Sequence, residues 1–181
     1  MKEKKMQEDE SEVEFSLPVQ IAWKTLQLYV RSGKIPDTMD VPDFQAGRAG
    51  CFVSLKKHGE LRGCIGTIAP VTERIESEII RNAIAACSED PRFDPVKPDE
   101  LADLTVSVDI LGSPEPVSSK SELNPAVYGV IVTSGYRRGL LLPDLEGVDT
   151  VEYQLAIACR KAGISPDEPY RIERFQVTRY Y

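Results

Sequence analysis

The chain has 181 residues, 41% hydrophobic and 28% charged, with a formal net charge of −7; these are ordinary globular proportions, enough for one sizeable core or two small lobes. The negative balance opposes nucleic-acid binding by counterion release, which needs a dense basic face, so direct nucleic-acid recognition is not expected. No apolar run approaches the roughly 18 residues of a membrane span and the start lacks a signal-peptide stretch, so a soluble cytoplasmic protein with no membrane partner is expected.

Residues 1–14, MKEKKMQEDESEVE, are charge-dense and nearly free of large apolar side chains, and read as a mobile tail ahead of a folded domain over 15–181. In SLPVQIAWKTLQLYVRSGK, Ser16 suits a helix cap, Pro18 a first turn and Gly33 an exit. Val19, Ala22, Trp23, Leu26, Tyr29 and Val30 fall on one face of that helix, which therefore packs on a core. IPDTMDVPDFQAGRAG is an irregular connection. CFVSLKK and ELRGCIGTI then form a hairpin around His58-Gly59, and TERIESEIIRNAIAACSED follows as an amphipathic helix over 73–88.

DPRFDPVKP breaks that helix. LADLTVSVDIL alternates as a strand, GVIVTSGYRRGLLLP is a second hairpin, and DTVEYQLAIACRKAG is a third helix with Gly163 at its exit. YRIERFQVTRY closes the chain as one strand. Helices and hairpins in mixed order, without βαβ alternation, predict an α+β fold with a largely antiparallel or mixed sheet flanked by helices.

The four cysteines lie at 51, 64, 87 and 159 and form no C-x-x-C pair, and the single histidine, His58, has no metal-spaced companion. Neither a metal site nor a disulfide framework is expected, and the thiols should be reduced. No cofactor motif is present: there is no iron–sulfur cysteine triplet and no GxxxxGK[ST] phosphate loop.

The blocks GCFVSLKKHGELRGCIGTI, DPRFDPV, GVIVTSGYRRGLLLP and QLAIACRKAGI, in that order, resemble the AMMECR family, named for a human chromosomal region linked to Alport syndrome, midface hypoplasia and elliptocytosis. Microbial members are called protein A of the AmmeMemoRadiSam system. The likeness runs from about Phe15 to Tyr181, and LRGCIGT is the family signature. It implies a larger lobe built from both chain ends, a smaller lobe, and the signature near the cleft between them. It also implies Memo-like and radical-SAM proteins as partners, and a role in transcription, repair or translation has been proposed for the family without being established.

The signature focuses the search for chemistry. On a regular strand, Arg62 and Cys64 share a face with Cα atoms about 6 to 7 Å apart. A guanidinium at that range in a sheltered cleft is worth roughly 2 to 3 kcal/mol to a thiolate, and well under 1 kcal/mol in open water. Cys64 and Arg62 are therefore the candidate catalytic pair, with packing of a small buried thiol as the competing reading. Gly63 and Gly66 are candidates for clearing space beside the sulfur and exposing backbone N–H groups, or for letting two elements pack closely.

Lys56, His58, Asp90 and Arg92 complete the candidate binding set. His58 sits at a turn, where an exposed residue is the plain expectation. Asp90 and Arg92 either line the cleft or cap the helix exit and pair with each other. Cys51, Cys87 and Cys159 read as packing residues, Ser54 lacks a supporting base, and Glu115 and Asp144 read as loop surface. Two functions are carried forward. One is a small-molecule-modifying enzyme or substrate-presenting component with Cys64 in its cleft. The other is a non-catalytic adaptor using Arg62, Lys56 and Arg92 to recognise anions.

Overall fold

The computed structural model describes residues 15–44 and 47–181; the tail expected over 1–14 lies outside them. Helix α1 (Leu17–Ser32) forms where its pattern predicts, with Pro18 in the first turn and Gly33 at φ 71° closing it through an N–H bond to the Tyr29 carbonyl. Ser16 does not cap by its side chain; its hydroxyl and N–H both donate to the Tyr181 carbonyl, at 3.0 and 3.3 Å. The two ends of the described chain are thereby joined. Val19, Ala22 and Leu26 are fully buried, and Trp23, Tyr29 and Val30 pack against the same core.

Strands β1 (Cys51–Lys57) and β2 (Glu60–Gly66) make the first hairpin, and α2 (Ile75–Ser88) follows two residues later than the sequence suggests. Strand β3 (Leu104–Leu111) pairs with β1, and β8 (Val177–Tyr180) pairs with β3, giving an antiparallel sheet in the order β2-β1-β3-β8. Its odd β1 positions, Cys51, Val53 and Leu55, are completely buried with residues of α1 and α2. The turn after β2 is tied down by buried Glu78, whose carboxylate accepts the Val71 and Thr72 N–H groups and the Thr67 and Thr72 hydroxyls.

Residues 115–175 form the second lobe, inserted between β3 and β8. It holds β4 (Glu115–Pro116), β5 (Gly129–Ser134), β6 (Arg137–Leu141), α3 (Val151–Ala162) and β7 (Arg171–Phe175), with its sheet ordered β4-β7-β5-β6. Thr150 caps α3 and Gly163 closes it at φ 67°. The closing segment is two strands in two sheets, not one: the chain leaves β7 and joins the first lobe at Gln176, whose carbonyl takes the Gly112 N–H at 2.9 Å. The lobes are fused by an apolar cluster in which Phe52 and Ile68 of the first pack on Ile131, Leu140, Leu142 and Phe175 of the second. The fold is α+β with two antiparallel sheets, a larger lobe from both chain ends and a smaller inserted one. No helix among the described residues is long and apolar enough to cross a membrane.

Candidate functional site in the inter-lobe cleft

The hairpin around His58-Gly59 decides which side chains of the signature face the cleft. His58 (φ 51°) and Gly59 (φ 86°) are both left-handed, as a type I′ two-residue turn requires. Lys57 pairs with Glu60 and Lys56 with Leu61, but Leu55 pairs with Gly63 and Ser54 with Cys64. Arg62 is the extra residue of a β-bulge, which re-aims the side chains beyond it. Cys64 therefore lies opposite Ser54, on the face directed at the second lobe.

There the Ser54 hydroxyl donates to Cys64 Sγ at 3.2 Å. The two residues are a non-hydrogen-bonded pair, the kind whose side chains approach most closely, because the Cys64 backbone is engaged on the outer edge. Its N–H donates to Asp90 Oδ2 at 2.9 Å, and Arg92 Nη2 reaches its carbonyl at 3.4 Å. Ser107 of β3 stands opposite Ser54 on the other side, so thiol, hydroxyl and hydroxyl cross three strands in one row. This row floors a cleft of about 620 Å³ between the lobes. Lys56, Arg92 and the Asp109–Arg179 ion pair belong to the first-lobe wall, and Leu140, Leu142, Asp144, Glu146 and Lys161 to the second. A cleft of this size suits a small molecule.

The expected Arg62–Cys64 pairing does not form. The bulge turns Arg62 off the cleft face, where Nε and Nη2 make a forked bond to Glu100 at 3.0 and 2.9 Å, joined by Lys57 Nζ at 3.1 Å. Arg62 first, then the Lys97 N–H at 3.0 Å and Lys57, hold the Glu100 carboxyl down at about 2. The guanidinium beside Cys64 is instead that of Arg92. Buried Asp90 accepts the Arg92 N–H and Nε through Oδ1 and Nη2 through Oδ2, and these bonds, Arg92 first, keep its carboxyl far below the usual range. Of this pair Arg92 alone lines the cleft, while Asp90 is buried behind it and pairs with it. Both guanidiniums stand over the Phe93 ring, Arg62 at 5.9 Å and Arg92 at 5.4 Å from its centroid.

The glycines serve packing. A Cβ on Gly63 would stand 2.1 Å from the Ala86 carbonyl oxygen of α2, and one on Gly66 would stand 2.3 Å from the Phe52 ring and 2.5 Å from the Cys51 carbonyl oxygen. Neither opens space beside the sulfur. Lys56 lines the cleft. His58 remains at the exposed tip, 3.8 Å from Asp103, and is not among the cleft residues. Burial pushes the Cys51 and Cys87 thiols up to about 12 and 11, in keeping with packing roles.

Sequence reasoning missed Ser54 as the partner of Cys64, Ser107, the Asp109–Arg179 pair and the whole second-lobe wall. For Ser54 a signal existed in the alternation of β1, but only a bulged register connects it to Cys64.

The AMMECR1 family model matches residues 19–180. A Thermotoga maritima protein is 55% identical over 166 residues, covering 90% of this chain and 95% of the relative. A Clostridium acetobutylicum protein is 52% identical over 167 residues, covering 90% of this chain but 35% of its own length, so this chain spans about a third of that relative. The crystal structure of an uncharacterized Pyrococcus horikoshii protein superposes with a TM-score of 0.80 at 32% identity, covering 90% of this chain and 88% of the other. Four ordered sequence blocks, the two-lobed fold and these matches agree, and the chain belongs to the AMMECR1 family.

Proposed function

We propose that the inter-lobe cleft binds a small molecule and that Cys64 is the group that reacts with it or presents it, the protein working with Memo-like and radical-SAM partners. One observation carries this reading: the only signature side chain with a nucleophilic sulfur sits on the cleft floor, hydrogen-bonded by Ser54. That contact holds the sulfur on the cleft floor, where an electrophile in the cleft would meet it. The apolar cluster between the lobes supports a preformed cleft.

Peptide-mapped alkylation of the folded protein tests the site. Cys64 should be modified well before Cys51 and Cys87, and resistance of Cys64 until the protein unfolds would refute the reading. In cells deleted for the gene, Cys64→Ser should fail to restore function, and full complementation would remove the chemical role. Co-purification of the Memo-like and radical-SAM proteins with the tagged chain tests the partners.

The contacts of Asp90 and Arg92 favour a second reading, a non-catalytic adaptor in transcription, repair or translation. Both grip the Cys64 backbone rather than its sulfur. On that reading Cys64→Ala is harmless, while Lys56→Glu abolishes partner binding.

A further inference from the structure

We infer that the ligand of this cleft carries an anionic group, a carboxylate or a phosphate, held on the Cys64 side by Arg92 and Lys56, with an apolar body against Phe52, Leu140 and Leu142. The inference rests on the reading of the cleft as a small-molecule site and adds the class of molecule.

The charges lining the cleft are unevenly committed. Asp109 and Arg179 satisfy each other through a forked pair at 2.7 and 3.0 Å, so neither selects a ligand by charge. Arg92 differs. Asp90 takes Nε and Nη2 and fixes the plane of the guanidinium, while Nη1 enters none of these bonds and the side chain stays 53% exposed. A planar donor fork held from behind and open in front is pre-organised for an oxyanion. Asp90 also offsets part of the guanidinium charge, so Arg92 alone makes a modest field. Lys56 adds to it from β1, two residues along the cleft face from Ser54.

Orientation follows from the opposite wall. The carboxylates free of these pairs, Asp144 and Glu146, both belong to the second lobe. Lys161 on the same wall offsets one of them, so that side keeps a net negative charge and the Arg92–Lys56 side is the seat of the anion. Beside the hydroxyl row the cleft is lined by Phe52 and Val106 of the first lobe and Leu140 and Leu142 of the second, which suits an aromatic or aliphatic body.

Competing alkylation of the full chain tests this. Iodoacetate and iodoacetamide place the same carbon on sulfur and expel the same iodide, and differ in charge. Their rate ratio at Cys64, set against that of neutral N-acetylcysteinamide, reads the local field. Two cations lining the cleft with Cys64 predict a ratio about fivefold higher at low salt, collapsing in 0.5 M NaCl. Exposed Lys56 can be changed without disturbing the fold, and Lys56→Gln should cut the preference about twofold. Phenylacetate or phenyl phosphate should protect Cys64 from iodoacetamide where phenylacetamide does not, and whichever anion protects better names the source. A ratio no higher than the free thiol's, or equal protection by phenylacetamide, overturns the anion assignment while leaving a reactive cleft thiol. Failure of both reagents to reach Cys64 removes the assignment and the site together.

Discussion

Gly63→Ala is the sharpest perturbation available in the signature, because it separates packing from ligand access with one methyl group. The added carbon would stand 2.1 Å from the Ala86 carbonyl oxygen and 3.2 Å from its carbonyl carbon, so the helix backbone must retreat by about 1 Å to restore normal contact. Ala86 belongs to a helix whose Ile75, Ile79, Ala83 and Cys87 are buried in the main core. That retreat loosens the whole layer, and overpacking of this kind costs roughly 3 kcal/mol. For a domain of this size, that cost lowers Tm by roughly 6 to 12 °C. Thermal unfolding followed by circular dichroism measures it. Gly59→Ala is the internal comparison: its neighbourhood is open but its φ is +86°, so only backbone strain of about 1 to 2 kcal/mol applies. If Gly63→Ala melts within 2 °C of the parent while Gly59→Ala does not, the close approach of strand and helix has been misjudged.

Three further outcomes follow from the same geometry. The Glu100 carboxyl is held at about 2 in the fold, against an ordinary value of 4.5; its contribution is therefore complete above pH 4.5 and disappears as pH falls from 4.5 to 2. Arg62→Met should remove on the order of 2 kcal/mol of stability at neutral pH and flatten urea-denaturation midpoints across that window; an unchanged acid profile would refute the role given to the Arg62–Glu100 pair. Asp90→Asn should cost about 2 kcal/mol, since it weakens three bonds from Arg92 and one from the Cys64 N–H, and equal stability by urea titration would count against the clamp. Ser54→Ala should slow iodoacetamide modification of Cys64, whose sulfur Ser54 holds in the cleft, with Tm within 2 °C of the parent; an unaltered rate would show that the 3.2 Å contact does not position the thiol.

Much of the fold was legible because its signals are local. The exits of α1 and α3 each carry a glycine at the left-handed position, and the β1–β2 turn carries its two positive φ values on His58 and Gly59. The closing segment shows the limit. YRIERFQVTRY is a continuous run of strand-forming residues, yet Phe175 ends in one sheet and Val177 begins in the other. The break depends on where a 61-residue insertion returns to the first lobe, and nothing within the segment encodes that distance. Strand β4 is invisible for the same reason: two residues become a strand only because Arg174 and Glu173 lie alongside.

The site shows the sharper lesson, because one extra residue inverts it. In a flush hairpin Ser54 would face Gly63, and Cys64 would point at α2, where the Ala86 carbonyl leaves no room even for a Cβ at the neighbouring position. The bulge at Arg62 puts the glycine against the helix and the thiol in the cleft in a single step. It also carries Arg62 to Glu100, and so hands the place beside Cys64 to Arg92, twenty-eight residues on. Arg62, Gly63 and Cys64 are therefore not three independent contributions to a site. A substitution at either of the first two acts on the thiol through the register of the strand, so a change in Cys64 reactivity in such a variant reports on chemistry only when its unfolding free energy is measured beside it.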